Sequence, residues 1–407
     1  MAHTPEPASL SRKIGLPLVT FYGLGAILGA GIYVLVGKVA GLAGLFAPLA
    51  FLTAALIAAV TALSYAQLVA LFPKSAGESV YVWQGFHHKS LSATVGWMII
   101  LTGIVSSATL SNGAAGYVNV FVQSPRWLCV VITVLMLGGL ALWGISESMW
   151  ASAVMTVIEL GGLLLVLVFS GDALLRSPAR ASEFLLPTSM AQWGGVLSAA
   201  FLAFYAFIGF EDMVNVAEEV KNPEKNLPPA ILIAIGAATL LYVLVAVAAV
   251  SALPLETLSA SDAPLALLIE SRGATWGKAI SAISIFAILN GLLVQIVMAS
   301  RVFYGMADQG NAPAFFSQIH PKTRTPLAAT LATIALVLIF ALWLPLVVLA
   351  KITSFVILII FTLVNMALWR IKKDPRYADQ MTFKSYPVFG ALLCFLLVFF
   401  QMLTLIR

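Results

Sequence analysis

The sequence predicts an all-α integral membrane protein of about eleven transmembrane helices, and three observations carry that reading. The 407 residues are 61% hydrophobic and only 10% charged, against roughly a quarter charged in an ordinary soluble domain. So few charges cannot cover the surface of two or three water-soluble domains. The apolar residues fall in long runs bounded by charges or by Pro, Gly and Asn clusters. Two of these runs are interrupted in their middles, at corresponding places in two halves of the chain.

A hydrocarbon core of about 30 Å needs roughly 20 apolar residues per helix. That requirement places spans 1 to 11 at 15–37, 45–71, 92–122, 127–145, 149–170, 193–216, 229–251, 276–304, 326–344, 346–369 and 387–406. The narrowest division is Leu344-Pro345; without a turn there, the count falls to ten and the later topology inverts. The gap at 252–275 has room for a short external helix. The polar start with Glu6, Arg12 and Lys13 leads into a run, Ile14 to Val36, too long for a signal peptide. With residues 1–14 inside, the inner segments carry 14 Lys and Arg and the outer segments 8. The positive-inside rule then predicts a multi-pass protein of the cell membrane with a cytoplasmic N-terminus.

Several classes of function are excluded by the same reading. The formal charge of +5 is scattered between apolar runs and forms no nucleic-acid patch. Cys129 and Cys394 give neither a disulfide framework nor zinc-ligand spacing. No HExxH, GxSxG or Walker A sequence occurs, and no span holds a histidine, so neither an intramembrane enzyme nor a primary pump is expected. No cofactor or metal is implied.

Span 1 contains Gly23-Leu-Gly25-Ala-Ile-Leu-Gly29-Ala-Gly31-Ile, and span 6 contains Phe204-Tyr-Ala-Phe-Ile-Gly209-Phe-Glu211-Asp212. Unpaired backbone groups are tolerated in hydrocarbon only where they line a cavity. Interrupted segments at matching positions point to a transport site between inverted repeats. Taken singly, each has a plainer reading: Gly25 and Gly29 form a GxxxG packing motif, and Glu211 with Asp212 can mark an early exit from the membrane. The pairing of the two breaks favours the transport site. It divides the chain into a tail (1–14), a first five-helix repeat (15–170), a second (193–369) and an additional helix (387–406).

These segments resemble the amino acid–polyamine–organocation (APC) superfamily of permeases, in its bacterial amino-acid permease branch. Gly25-Ala-Ile-Leu-Gly-Ala-Gly31-Ile-Tyr33 is similar to the family's unwound segment, and Phe204 to Glu211 to its span 6 motif. The most specific match is Glu218-Glu219-Val-Lys-Asn222-Pro-Glu-Lys-Asn226-Leu-Pro228. Phe72-Pro-Lys-Ser-Ala-Gly77 with Tyr81, Ala299-Ser-Arg301 through Asp308, Asn311-Ala-Pro313 and Thr325-Pro326 follow in the family's order. The resemblance implies a LeuT-type fold with a 5+5 inverted repeat, helices 1 and 6 broken, and alternating access around a central site. Many relatives have twelve helices. Heteromeric relatives hold an accessory chain through a cysteine after span 3; Val122-Gln-Ser-Pro-Arg126 has none, so no disulfide-linked partner is expected.

A broken helix offers free N–H groups to a carboxylate and free carbonyls to an ammonium, and glycine lets the backbone unwind and approach a ligand. The resemblance places the carboxylate of an amino acid at the amides near Ala30 and Gly31, with Gly29 in the same substrate-binding segment. It places the ammonium at carbonyls near Ile27, Tyr205 and Ile208, with Phe207 and Gly209 in the same segment. Tyr205 matches a relative's gating aromatic; a core-facing aromatic is the other reading. Glu159, eleven residues into span 5, costs several kcal/mol unless protonated or paired. Proton-coupled relatives carry a lysine there, facing broken helix 1. Three roles stay open for Glu159: a carrier of the coupling proton, a cation-binding carboxylate, or a permanently protonated structural acid. Glu211, as part of the span 6 motif, is the second coupling or gating candidate. The expected function is secondary active, proton-linked transport of an amino acid through a lipid bilayer. An amine or polyamine carrier, an exporter or an exchanger are the alternatives, and a channel is the rival of another class.

Overall fold

A computed structural model describes residues 12, 14–29, 31–74, 77–143, 145–176, 186–270, 272–320, 323, 325–380 and 386–406. Ala30 lies outside the described residues, as do most of the tail and Lys13, Arg180, Lys322, Arg324, Lys384 and Arg407 of the topology count.

The chain is a multi-pass membrane protein built from helices. Nine described stretches are long and apolar enough to cross a bilayer. The first, Leu16–Leu71, is 56 residues long and holds two crossings, divided by a tight turn at Gly44–Phe46, where Gly44 takes φ +60°. The shorter apolar helix Leu327–Trp343 is a further crossing, which gives eleven among the described residues. Lipid-facing side chains such as Trp143, Val168 and Trp343 are more than two-thirds exposed, as helices bathed in hydrocarbon allow. Between helices, small residues bring backbones close: a Cβ at Gly103 of span 3 would lie 2.9 Å from the Ala299 Cβ of span 8.

Leu344 and Pro345 are both extended, so the chain breaks there and Leu346–Ile371 starts a new helix. Span 7 starts earlier than 229, at Pro223, with Pro228 and Pro229 inside it. Both prolines are tolerated because the carbonyls they leave without partners belong to Glu224 and Lys225, which are exposed at the polar end. The gap at 252–275 holds two short helices, Leu255–Ala260 and Pro264–Glu270. Between spans 2 and 3 lies a helix the apolar pattern does not announce, Gly77–Phe86.

The two faces of the bundle differ. On the N-terminal face, Ile14 pairs with the segment after span 6: its N–H donates to the Glu219 carbonyl (3.1 Å) and its carbonyl accepts from the Lys221 N–H (2.8 Å). Arg301 reaches Glu219 at 3.8 Å, and Lys74 reaches Glu218 at 3.9 Å. These contacts tie span 1, span 6, span 8 and the end of span 2 together. The opposite face holds cavities of about 400 and 230 Å³ that share Asn112, Arg126 and Pro345. The N-terminal face has a cavity of its own, about 280 Å³ beside the helix Gly77–Phe86, but at spans 1, 6 and 8 it is closed by the contacts just named.

Candidate transport site

Span 1 is two helices, Leu16–Leu28 and Gly31–Ala43, and span 6 is the helix Met190–Phe204 followed by 3₁₀ turns at Tyr205–Phe207 and Glu211–Glu219. The two breaks lie against each other. A Cβ on Gly31 would stand 2.2 Å from the Ala206 Cα, and one on Gly209 2.6 Å from the backbone of Ala26. Gly209 also takes φ +129°, a conformation that side chains oppose. Only glycine at both positions permits this backbone-to-backbone crossing.

Between the breaks is a cavity of about 20 Å³ lined by Ala26, Ile27, Gly31, Ser106, Leu110, Tyr205, Ile208, Gly291 and Gln295. That is room for about one water, so admission of a substrate requires the lining to separate. Of the sequence-predicted residues, Ile27, Gly31, Tyr205 and Ile208 line this cavity. Gly29 packs against the Gly291 backbone, at 3.2 Å for a Cβ, one residue from the lining. Phe207 points elsewhere: fully buried, it packs edge-on against Tyr242 at 5.1 Å between ring centroids. Gly209 donates its N–H to Glu211 Oε2 at 2.9 Å. Glu211 therefore satisfies a donor freed by the break, as a cap does. Tyr205 reaches span 3, its hydroxyl 3.1 Å from Ser106 Oγ.

Tyr242 of span 7 is a site residue the sequence reading missed. Its hydroxyl lies 2.5 Å from the Ile27 carbonyl and 3.0 Å from the Ala206 carbonyl, so one donor group serves a freed carbonyl of each broken helix. Ile27 keeps its second lone pair for a ligand. The signal was present: a tyrosine inside Thr239-Leu-Leu-Tyr242-Val-Leu is out of place in an otherwise apolar run. Tyr242→Phe is expected to lower stability by about 1–2 kcal/mol, because one donor is lost and two buried carbonyls lose their partner. Thermal melting of the purified variant measures this.

Glu159 is fully buried. Asn290 of span 8, also missed, donates through Nδ2 to Glu159 Oε2 at 3.4 Å and to Thr156 Oγ1 at 3.1 Å; Glu159 Oε1 has no partner among the described residues. A Cβ on Gly25 would fall 2.0 Å from Thr156 Oγ1 and 2.6 Å from Asn290 Nδ2, so helix 1 rests directly on this cluster. Tyr33, just past the break, donates to the Glu159 backbone carbonyl at 2.8 Å. The acid thus lies beside the broken helix. On the other side of the cavity, Gln295 donates to Asp212 Oδ2 at 2.6 Å, which links the lining to the acidic end of span 6.

A sequence profile of the family described as "Amino acid permease" matches residues 14–406. The chain belongs to the amino acid permease family. It is similar to the "Branched-chain amino acid permease BcaP" of Bacillus subtilis, at 31% identity over 96% of this chain and 88% of that protein. It is also similar to the "Cationic amino acid transporter 3, mitochondrial" of Arabidopsis thaliana, at 28% identity over 88% of this chain; there it spans only 62% of the relative's length. The "Methylthioribose transporter" of Bacillus subtilis is 27% identical over 93% of this chain and 86% of that protein. The permease is accordingly a transporter and not an enzyme, and the expected family is confirmed across the whole bundle.

Proposed function

We propose that the permease is a secondary active transporter that moves an apolar amino acid across the cell membrane by alternating access, with the proton as coupling ion and the N-terminus in the cytoplasm. The observation that carries this reading is the meeting of two broken helices at a small central cavity with a buried acid beside one of them. The amide of Gly31, with that of Ala30 outside the described residues, suits the carboxylate; the carbonyls of Ile27, Tyr205 and Ile208 suit the ammonium. Residues 15–170 and 193–369 form the two repeats in this reading, and 387–406 lies outside them.

The lining supports a choice among substrates. Beside the apolar Ala26, Ile27, Leu110 and Ile208 stand the polar Ser106, Tyr205 and Gln295, and the described lining holds no charged side chain to meet a second ammonium. That favours a neutral side chain over a cationic one, and the name of the Bacillus relative points within that class to a branched aliphatic amino acid. The test is a melting-temperature screen of purified protein against leucine, isoleucine, valine, lysine, arginine, putrescine and methylthioribose, followed by flux in proteoliposomes under imposed proton or sodium gradients. Stabilisation by the aliphatic amino acids and uptake driven by an acid exterior are expected. Stabilisation by putrescine or methylthioribose alone would overturn the substrate class, and sodium-only drive would overturn the coupling ion.

A further inference from the structure

Glu78, in the second position of the loop helix Gly77–Phe86, is 1% exposed, and neither carboxyl oxygen has a hydrogen-bond partner among the described residues. The helix is pressed onto the distal part of span 6. The Gly77 N–H donates to Asn215 Oδ1 at 3.2 Å, and a Cβ on Gly77 would meet Val214 Cγ2 at 2.7 Å.

Around Glu78 converge more buried polar groups than the protein itself satisfies. Tyr65 of span 2, Tyr81 of the loop helix and Asn215 of span 6 are each at most 4% exposed. Their hydroxyls and the Asn215 Nδ2 also lack partners among the described residues. The Tyr65 hydroxyl and the Asn215 amide face the Glu78 carboxyl as hydrogen-bond donors, short of the geometry of a fully formed bond. Buried polar groups from three elements, none in fully formed hydrogen-bond geometry, leave the Glu78 carboxyl weakly held at this point.

The charges facing this point are mostly acidic. Glu211 acts electrostatically on Glu78, and Glu78 acts on Asp212. Cys394 of span 11 faces Tyr65 from the far side. Arg301 is engaged with Glu219 and Lys74 with Glu218, and Arg370 of span 10 lies over the Phe86 ring at 4.4 Å. No ion pair to Glu78 occurs among the described residues. Glu78, Glu211 and Asp212 are each at most 3% exposed, so ionising all three together is costly. Moreover, Asp212 is bonded to Gln295, which lines the central cavity, so polar groups run from the substrate site toward the N-terminal face.

We propose that Glu78 is a second proton-binding site of the permease: it holds a proton while the N-terminal face is closed and gives it to water as the loop helix parts from span 6. This rests on the reading that transport is proton-linked. The step is a simple dissociation, in which the carboxyl O–H breaks, the electron pair stays on oxygen and the proton leaves as hydronium. The carboxylate left behind repels Glu211 and Asp212, which disfavours closing until a proton returns.

Burial pushes the Glu78 carboxyl up to about 8, from an ordinary value of 4.5. When the face opens and the group is hydrated, it returns toward that ordinary value. The sign follows. Below the ordinary value both states hold the proton and opening is insensitive to pH; between the two values opening releases it, so opening gains up to about tenfold per pH unit; above about 8 the gain ends.

The experiment is leucine counterflow in proteoliposomes at equal pH on both sides, together with melting temperature against pH in detergent. For the wild type, counterflow should rise between about pH 5 and pH 8, and melting temperature should fall over the same range, because the folded state holds the extra proton. Glu78→Gln should flatten both slopes and Glu78→Asp should retain them. Unchanged slopes in Glu78→Gln would overturn the proposal while leaving proton-linked transport standing. If the glutamine variant does not transport, its melting slope still decides. Lack of any gradient-driven uptake by the wild type would instead remove the proton-linked reading on which the proposal rests.

Discussion

Gly31→Ala is expected to reduce uptake at least about 100-fold. The added Cβ would stand 2.2 Å from Cα and 2.5 Å from Cβ of Ala206. The obstacle is backbone, and no rotamer change relieves it. Nor can Ala206 retreat easily, since its carbonyl is held by Tyr242 and the neighbouring Gly209 is wedged against Ala26. Overpacking of a core by one methyl costs typically 1–3 kcal/mol, and a fixed backbone on both sides places this case at or beyond the upper end. A displacement worth about 3 kcal/mol in the positioning of the second half of span 1 corresponds to roughly 100-fold. Gly161→Ala is the control: nothing lies within 4 Å of its Cβ, so uptake should stay within about twofold. Uptake by Gly31→Ala near the wild-type rate would show that the crossing of the two breaks is not the transport site.

How much of this was legible follows from where the information resides. The spans could be read because hydrocarbon imposes one length and one composition on each of them. Even Leu344-Pro345, the doubtful turn, breaks as the proline suggests. The broken segments were legible from Gly25, Gly29, Gly31 and Gly209, because the two interruptions fall at matching places in the two halves of the chain. What could not be read is who meets whom. Tyr242 and Asn290 lie far along the chain from the carbonyls and the acid they serve, and only tertiary packing brings them there. Glu78 was missed for another reason. It stands outside the spans, where an acid is ordinary, and its burial arises from a loop helix docking on span 6. Phe207 was expected in the site because it neighbours Tyr205, but the tight turn directs it toward Tyr242 instead.

Glu159→Gln is expected to leave the fold and substrate exchange largely intact while lowering pH-driven accumulation at least about tenfold. The substitution keeps shape: the glutamine carbonyl oxygen can still accept from Asn290 Nδ2, and the Tyr33 contact goes to the backbone at 159 and is untouched. Only the ability to lose a proton disappears. An ionised carboxylate at this depth, fully buried and with one hydrogen-bonding amide beside it, is costly unless a cation sits next to it. The group should therefore change charge only when helix 1 moves off Thr156 and Asn290 and water reaches it. That makes Glu159 sensitive to which face is open, the property a coupling group needs. Three outcomes separate its three roles. Exchange retained with pH-driven accumulation lost assigns the coupling proton to Glu159. Loss of sodium-driven uptake with no effect of pH assigns a cation-binding carboxylate. Accumulation unchanged under a pH gradient assigns a structural acid, whose removal by Glu159→Leu should then cost stability through Asn290 and Thr156 and leave coupling as it was.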